Sequence, residues 1–278
     1  MDPVSAEVWE NKEVASGIFR LKLRPYGPAP RVAPGRFFML GVGQGLDPLL
    51  RRPLGHLCTS VDDNGIHLLE FLYEVRGRGT RILSLAQPPR IVSFIGPLGR
   101  GWRLEVTPKR IMMVAGGMGV VPLYAAASAL QLARPRPRVE FFFGAKTGRG
   151  LVLQAELEKR STQFHPCTED GCRGDKGLVT DLIKAEMKRL GEELERHKKE
   201  DKLILACGPR AMLKEVVKLA RTADVPCQVS LEARMGCGMG ACLTCSIKGA
   251  DGNNLRVCQD GPVFAAEEVD WEALDESA

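Results

Sequence analysis

Ile111–Ala133, IMMVAGGMGVVPLYAAASALQLA, is the stretch on which the fold turns. Five apolar residues run unbroken into Gly116, Gly117 and Gly119, and an apolar segment of helical length follows. A short apolar run closed by glycines predicts a strand buried on both faces, then a tight turn, then a helix. The same alternation continues downstream. VEFFFGAKT predicts a strand, GLVLQAELEKR and LVTDLIKAEMKRL helices, KLILACGP a strand, AMLKEVVKLART a helix and VPCQVSLE a last strand. Strands alternating with helices predict a parallel sheet covered by helices on both faces, assigned here to residues 106–230.

Upstream, over residues 1–105, the texture is different. IFRLKLRP, GRFFMLGVG, GHLCTSV and GIHLLEFLYEV are short, rich in Val, Ile, Leu and Phe, and separated by Pro, Gly, Asp and Asn. IVSFIGPLG reads as a closing strand, and a short helix is expected near Thr80–Ala86. Strands at this spacing predict an antiparallel β-barrel. Downstream, over residues 231–278, the periodicity stops and a small cysteine module begins. The fold class is thus multidomain, β followed by α/β followed by a small C-terminal module.

Composition bounds the function. A chain of 278 residues with 44% hydrophobic content holds two domains and a small module. The net charge of +5 is spread along the chain, so no nucleic-acid footprint is indicated. KAEMKRLGEELERHKKEDK mixes both signs at helical spacing, as a solvated helix face does. No apolar run approaches the ~18 residues of a membrane span, and MDPVSAEVWENKEV has no signal-peptide core. Nine cysteines without an export signal fit a reducing cytoplasm better than a disulfide framework.

Four of those cysteines, Cys237, Cys242, Cys245 and Cys258, follow C-x4-C-x2-C-x12-C within GCGMGACLTCSIKGADGNNLRVCQDGPVF. Three close thiols and a remote fourth are the plant-type ferredoxin pattern for a [2Fe–2S] cluster. Gly236, Gly238 and Gly240 allow the left-handed turns that aim N–H groups at sulfur, and Ala241 and Thr244 leave room. A structural zinc site also takes four thiolates, but its ribbons usually show two C-x2-C knuckles where this chain has one. Buried free cysteines are the other reading, and four in 22 residues is dense for them.

The turn AGGMGVVP reads G-x-G-x-x-P through Gly117, Gly119 and Pro122. At the head of a helix it suits a cofactor phosphate, or it is a tight turn without a ligand. Cys207, Gly208 and Pro209 close a second strand, beside the region where open α/β sheets gather ligands. Cys207 is then a neighbour of a nicotinamide or a small packing residue. In the β segment, Arg51 and Arg52 precede Pro53, Leu54 and Gly55. They form a phosphate clamp or a pair of surface cations. Leu72, Tyr73 and Glu74 lead into Gly77-Arg78-Gly79-Thr80, a glycine loop opening a helix, with Tyr73 on a flavin ring or in the core. The four histidines, His56, His67, His165 and His197, have no metal-ligand spacing and read as structural or surface residues.

RRPLG, GRGT, GGMGVVP and CGP together resemble the ferredoxin–NADP reductase superfamily, in which a flavin-binding barrel precedes a nicotinamide-binding α/β domain. SLEARMGCGMGACLTCSIK and RVCQDGPVF resemble more specifically the electron-transfer subunits of class 1B dihydroorotate dehydrogenase. The resemblance implies an NAD-linked oxidoreductase subunit of pyrimidine biosynthesis, with FAD, a [2Fe–2S] cluster and NAD as cofactors. FAD contacts would fall on Arg52, Pro53, Leu54, Gly55, Leu72, Tyr73, Glu74, Gly79 and Thr80. NAD contacts would fall on Gly117, Gly119, Cys207 and Gly208, and cluster ligands on Cys237, Cys242, Cys245 and Cys258. Family members often carry Ser or Thr where this chain has Gly55, near the flavin N5, so hydrogen bonding there would come from backbone or water. The implied partner is an FMN-containing dihydroorotate dehydrogenase catalytic subunit in a hetero-oligomer. Its electrons would pass through the cluster and FAD to NAD+. A subunit of an NADH-dependent ferredoxin:NADP oxidoreductase or of a sulfide dehydrogenase shares this architecture and is the alternative.

Overall fold

The computed structural model describes residues 2–43, 47–105, 108–193 and 202–274, with the side chains of 191–193 left out. The chain forms two compact units. One comprises Met1–Gly101, Glu232–Ser246 and Arg256–Pro262, the other Trp102–Leu231, Ile247–Leu255 and Val263–Ala278. The C-terminal stretch expected as a module of its own is therefore shared between the two.

The first unit is a closed antiparallel barrel of six strands. They are β1 (Val4–Ala15), β2 (Ile18–Pro25), β3 (Phe37–Gly41), β4 (Arg52–Val61), β5 (His67–Glu74) and β6 (Ile91–Leu98), with helix α1 (Arg78–Ser84) after β5. Their order around the barrel is β1-β2-β5-β4-β3-β6. The polar N-terminal stretch, passed over as a strand in the sequence, is β1. Its apolar signal is thin because only Ala6 and Val8 point into the core among charged neighbours. The core is built by Leu21, Leu23, Phe38, Leu40, Leu69, Phe71, Tyr73 and Phe94. Each large apolar side chain buried there contributes about 1.5–3 kcal/mol. Buried Asn11 fastens α1, its amide donating to Leu83 O at 2.8 Å and Ala86 O at 3.0 Å.

The second unit holds a seven-stranded sheet. Its parallel strands are β7 (Arg110–Gly116), β8 (Arg138–Ala145), β9 (Gln163–Thr168), β10 (Asp175–Lys176), β11 (Lys202–Cys207) and β12 (Cys227–Ser230). A short hairpin of β13 (Ser246–Lys248) and β14 (Asn254–Arg256) precedes β15 (Val263–Ala265), which joins the sheet antiparallel to β12. The helices are α2 (Val120–Leu130), α3 (Gln154–Glu158), α4 (Val179–Glu193) and α5 (Arg210–Ala223). The sheet order β10-β9-β8-β7-β11-β12-β15 reverses direction between β7 and β11.

One expectation for this unit changes. GLVLQAELEKR is helical only over α3, because Gly148–Gly150 forms a 3-10 turn and Leu153 takes φ 63°. QFHPCT, which the sequence pattern did not single out, is strand β9, its weak signal due to Pro166 and the polar residues around it. At the amino ends of β7 and β8, buried Glu140 pairs with Arg110 at 2.6 Å and Arg138 at 2.5 Å. Arg110 also reaches Glu186 of α4. Breaking such a buried network by removing one partner costs about 3–5 kcal/mol.

Candidate functional site

Within the closed barrel the β4–β5 ladder stops short, and residues singled out in the sequence flank that point. β4 and β5 pair from Val61↔His67 to His56↔Phe71, with an irregularity between His56 and Cys58, and the ladder stops there. Continued, it would next have joined Gly55, Leu54 and Pro53 to Leu72, Tyr73 and Glu74. Arg52–Gly55 instead pair only with Leu40–Phe37 of β3 on their other side. Main-chain N–H and C=O groups on a parted edge are free to bind the polar rim of a flat heterocycle.

Arg52 and the glycine loop meet, as a phosphate clamp requires. A Cβ on Gly79 would lie 2.0 Å from Arg52 Nε, so the guanidinium rests on the bare backbone of that glycine. Thr80 Oγ1 accepts from Arg76 N at 3.0 Å and Gly77 N at 3.2 Å, which shapes the loop at the start of α1. Glu74 pairs with Arg76 at 2.6 Å.

Tyr73 lies in the barrel core. It is 2% exposed, stacks on Phe19 at 5.7 Å and donates to Asn11 Oδ1 at 3.1 Å. Burial pushes its phenol up to about 12, opposed by the Asn11 hydrogen bond. Its ring is therefore a packing element, and only its main chain faces the parted edge. Beside Gly55, the imidazole of His56 is buried among Phe38 and Phe71, and burial drops it to about 4.

In the cysteine loop the four thiols fall into two pairs. Cys237 Sγ accepts from Cys242 N at 3.4 Å, and Cys242 Sγ from Cys237 N at 3.4 Å. Cys245 Sγ accepts from Cys258 N at 3.4 Å. Met239 N donates to Cys237 Sγ at 3.3 Å, Gly240 N to Cys258 Sγ at 3.1 Å and the Thr244 hydroxyl to Cys242 Sγ at 3.2 Å. The Thr244 hydrogen bond is the main cause that lowers the Cys242 thiol to about 6. Burial, then the neighbouring Cys245, raises Cys258 to about 12.

All four thiols are free of disulfides. Among the described residues no group of three or more His, Cys, Asp or Glu is set to hold one metal ion. Two thiol pairs, each with N–H donors aimed at sulfur, match the donor set of a binuclear iron–sulfur cluster better than that of a single zinc. Sequence reasoning missed the residues that hold the loop in place. Arg256 Nη1 donates to Gly240 O at 3.4 Å, and Arg256 Nε pairs with Asp260 Oδ2 at 3.2 Å. A Cβ on Gly240 would lie 1.9 Å from Gln259 Oε1. The i,i+4 charges astride Cys258 were the signal for the Arg256–Asp260 pair.

The second unit places Gly117 and Gly119 at the carboxyl end of β7, and Cys207 and Gly208 at the carboxyl end of the adjacent β11. That is the reversal point of the sheet, where open α/β sheets bind their ligands. The glycines differ in task. Gly117 takes φ 53°, and a Cβ there would meet nothing within 4 Å. On Gly119 a Cβ would lie 2.1 Å from Cys207 O, and on Gly208 it would lie 2.9 Å from Gly116 N. Gly117 thus faces open space, while Gly119 and Gly208 let the two turns touch. Cys207 is 3% exposed.

Two family models match the chain. Residues 232–270 match the iron-sulfur cluster binding domain of dihydroorotate dehydrogenase B, and residues 113–218 an oxidoreductase NAD-binding domain. The chain is similar to the protein named dihydroorotate dehydrogenase B (NAD(+)), electron transfer subunit, of Desulforamulus reducens, at 36% identity over 88% of this chain and 90% of the relative. Against that of Clostridium acetobutylicum the identity is 35% over 95% of each chain. A probable one from Methanopyrus kandleri is 37% identical over 96% of this chain and 92% of the relative. Among solved structures, one of an NADH-dependent reduced ferredoxin-NADP oxidoreductase superposes with TM-score 0.80 at 28% identity, covering 98% of this chain and 92% of that one. A ferredoxin NADP+ reductase from Neisseria gonorrhoeae shares the fold, with TM-score 0.64 at 16% identity over 80% of this chain and 92% of that one.

Proposed function

This chain belongs to the electron transfer subunits of dihydroorotate dehydrogenase B, and on that footing we propose how its residues divide the work. It is an oxidoreductase component that acts with a catalytic partner and carries FAD, an iron–sulfur cluster and NAD. In the proposed reading the partner holds FMN and oxidises dihydroorotate to orotate, and this subunit delivers the electrons to NAD+ in the cytoplasm. Among the described residues no helix is long and apolar enough to cross a membrane.

Cys237, Cys242, Cys245 and Cys258 would hold the cluster as [2Fe–2S] through their four thiolates. Arg52, Gly79 and Thr80 bind the FAD pyrophosphate. The parted edge of Pro53, Leu54 and Gly55 against Leu72, Tyr73 and Glu74 receives the flavin through main-chain groups. Gly117 opens the turn for the nicotinamide nucleotide, and Gly119, Cys207 and Gly208 support it from the neighbouring strand end. FAD supplies the chemistry that joins one-electron carriers to a two-electron acceptor.

The observation that carries this reading is the cysteine loop, whose paired thiols and N–H donors belong to the barrel unit that also bears the parted edge. The solved bifurcating oxidoreductase shares the fold at lower identity than the dihydroorotate dehydrogenase B relatives, so its activity is not the one proposed. The test is to purify the chain alone and with its native partner. Alone it should oxidise NADH with an artificial acceptor and leave dihydroorotate untouched. With the partner it should support NAD+-linked dihydroorotate oxidation. A purified pair that ignores dihydroorotate and reduces ferredoxin instead would overturn the reading.

A further inference from the structure

Met39 is buried where a barrel residue of its orientation is ordinarily wet. Phe38 and Leu40 of β3, with Val42 just beyond it, belong to the barrel core, so Phe37 and Met39 point away from it. Met39 is nevertheless 0% exposed. The cysteine loop covers it. Gly238 takes φ 74°, and a Cβ there would lie 2.5 Å from Met39 Cγ and 3.0 Å from Met39 Sδ, so the methionine fills the space a side chain would take. Phe37 is covered from the other end of the same module. A Cβ on Gly99 would lie 3.0 Å from the Phe37 ring and 2.6 Å from Gly261 O.

The main chain of Met39 faces the other proposed site. Met39 pairs with Pro53, Phe38 with Leu54 and Phe37 with Gly55. One residue therefore has its backbone beside the segment assigned to flavin and its side chain against Gly238, the residue bonded to Cys237. Neighbouring strands lie about 4.8 Å apart, so a single strand's width separates the segment from the residue under the loop. A flexible thioether suits this place, because it packs readily against irregular backbone.

We propose that Met39 is the positioning residue that seats the cysteine loop on the flavin-flanking strand and so sets the separation that electrons cross. This rests on the cofactor assignments proposed above. Each crossing moves one electron and no atom. Two crossings supply the electron pair that NAD+ takes up as hydride, with the proton drawn from water. Were Met39 only a filler, its truncation would lower the thermal midpoint and leave electron transfer in the folded molecules unchanged.

The experiment compares wild type with Met39→Ala and Met39→Leu, each as the full chain with FAD and iron bound. Iron and FAD content and the thermal midpoint are measured first. Each protein is then mixed rapidly with NADH. Flavin bleaching is followed by absorbance and the reduced-cluster signal by freeze-quench EPR. Met39→Ala should bleach its flavin at the wild-type rate and show the cluster signal severalfold later. Met39→Leu, which refills the space, should restore most of the lost rate. Iron loss in Met39→Ala with FAD retained supports the seat equally. If Met39→Ala does not fold, Met39→Val is judged by the same criteria. Full iron and an unchanged cluster-reduction rate in the truncated protein overturn the proposal. A wild-type chain that binds no flavin or no iron would instead overturn the cofactor reading, which keeps the two failures apart.

Discussion

Glycines do different work in the two units. In the cysteine loop Gly238 and Gly240 take φ 74° and 82°, and the N–H groups of Met239 and Gly240 reach sulfur. There the residue is needed for its conformation. At the turns of the α/β sheet Gly119 takes an ordinary φ of −59°, and it is needed because the carbonyl of Cys207 leaves no room for a Cβ. The same letter in a sequence motif thus marks a bent backbone in one unit and two touching backbones in the other. Cysteines divide the same way, into thiols gathered in the loop, their sulfurs accepting N–H groups, and a buried thiol at Cys207.

The largest effect should come from exchanging one thiol in each region. Cys242→Ser is expected to lose most of the bound iron and its visible absorption, since no spare thiol is paired with Cys237. Cys207→Ser should keep its iron. Full iron in Cys242→Ser would remove the contrast.

A second test uses pH. His56 is held neutral by burial, its value lowered to about 4 from an unfolded 6.5, so unfolding takes up a proton while the pH lies between the two. Its contribution is complete above pH 6.5 and is lost as the pH falls toward 4, up to about 3 kcal/mol at the acid end. Thermal melts of the barrel unit should show this acid slope, and His56→Leu should flatten it. An identical slope in the variant would remove His56 as its source.

The two turn glycines give a finer test. Gly119→Ala forces a Cβ into the Cys207 carbonyl and should destabilise the second unit by about 3 kcal/mol. Gly117→Ala meets open space and pays only for its left-handed φ, about 1–2 kcal/mol, so it should stay folded and bind NADH more weakly. Equal melting losses with unchanged NADH affinity would erase the distinction. Last, Arg52→Ala should weaken FAD retention by about 1.5–3 kcal/mol, the worth of a charge-assisted hydrogen bond, read as the FAD dissociation constant. An unchanged constant would leave Arg52 as a loop support for Gly79.

Much of this was legible in the chain. The apolar run Ile111–Ala115 with its glycines announced the central strand and its turn, because a strand covered on both faces must be apolar at every position. The cysteine spacing announced its chemistry, because thiolate number and local reach are properties of sequence. β1 was not legible, since a strand with two inward apolar side chains among charged neighbours carries almost no apolar period. Nor was β9, whose apolar signal Pro166 and His165 dilute.

The sequence by itself determined the order of β and α/β segments, the four thiols, and the glycine-bearing turns after β7 and β11. Each of these follows from local pattern, in which propensity and spacing act over a few residues. The tertiary structure decided the rest. It drew Tyr73 into the barrel core, stopped the β4–β5 ladder at His56, laid Arg52 on Gly79 and set Met39 under Gly238. Those contacts join residues tens to hundreds of positions apart. Only closing the barrel and packing the loop onto it chose them, because burial and backbone clearance are properties of the assembled surfaces rather than of any segment.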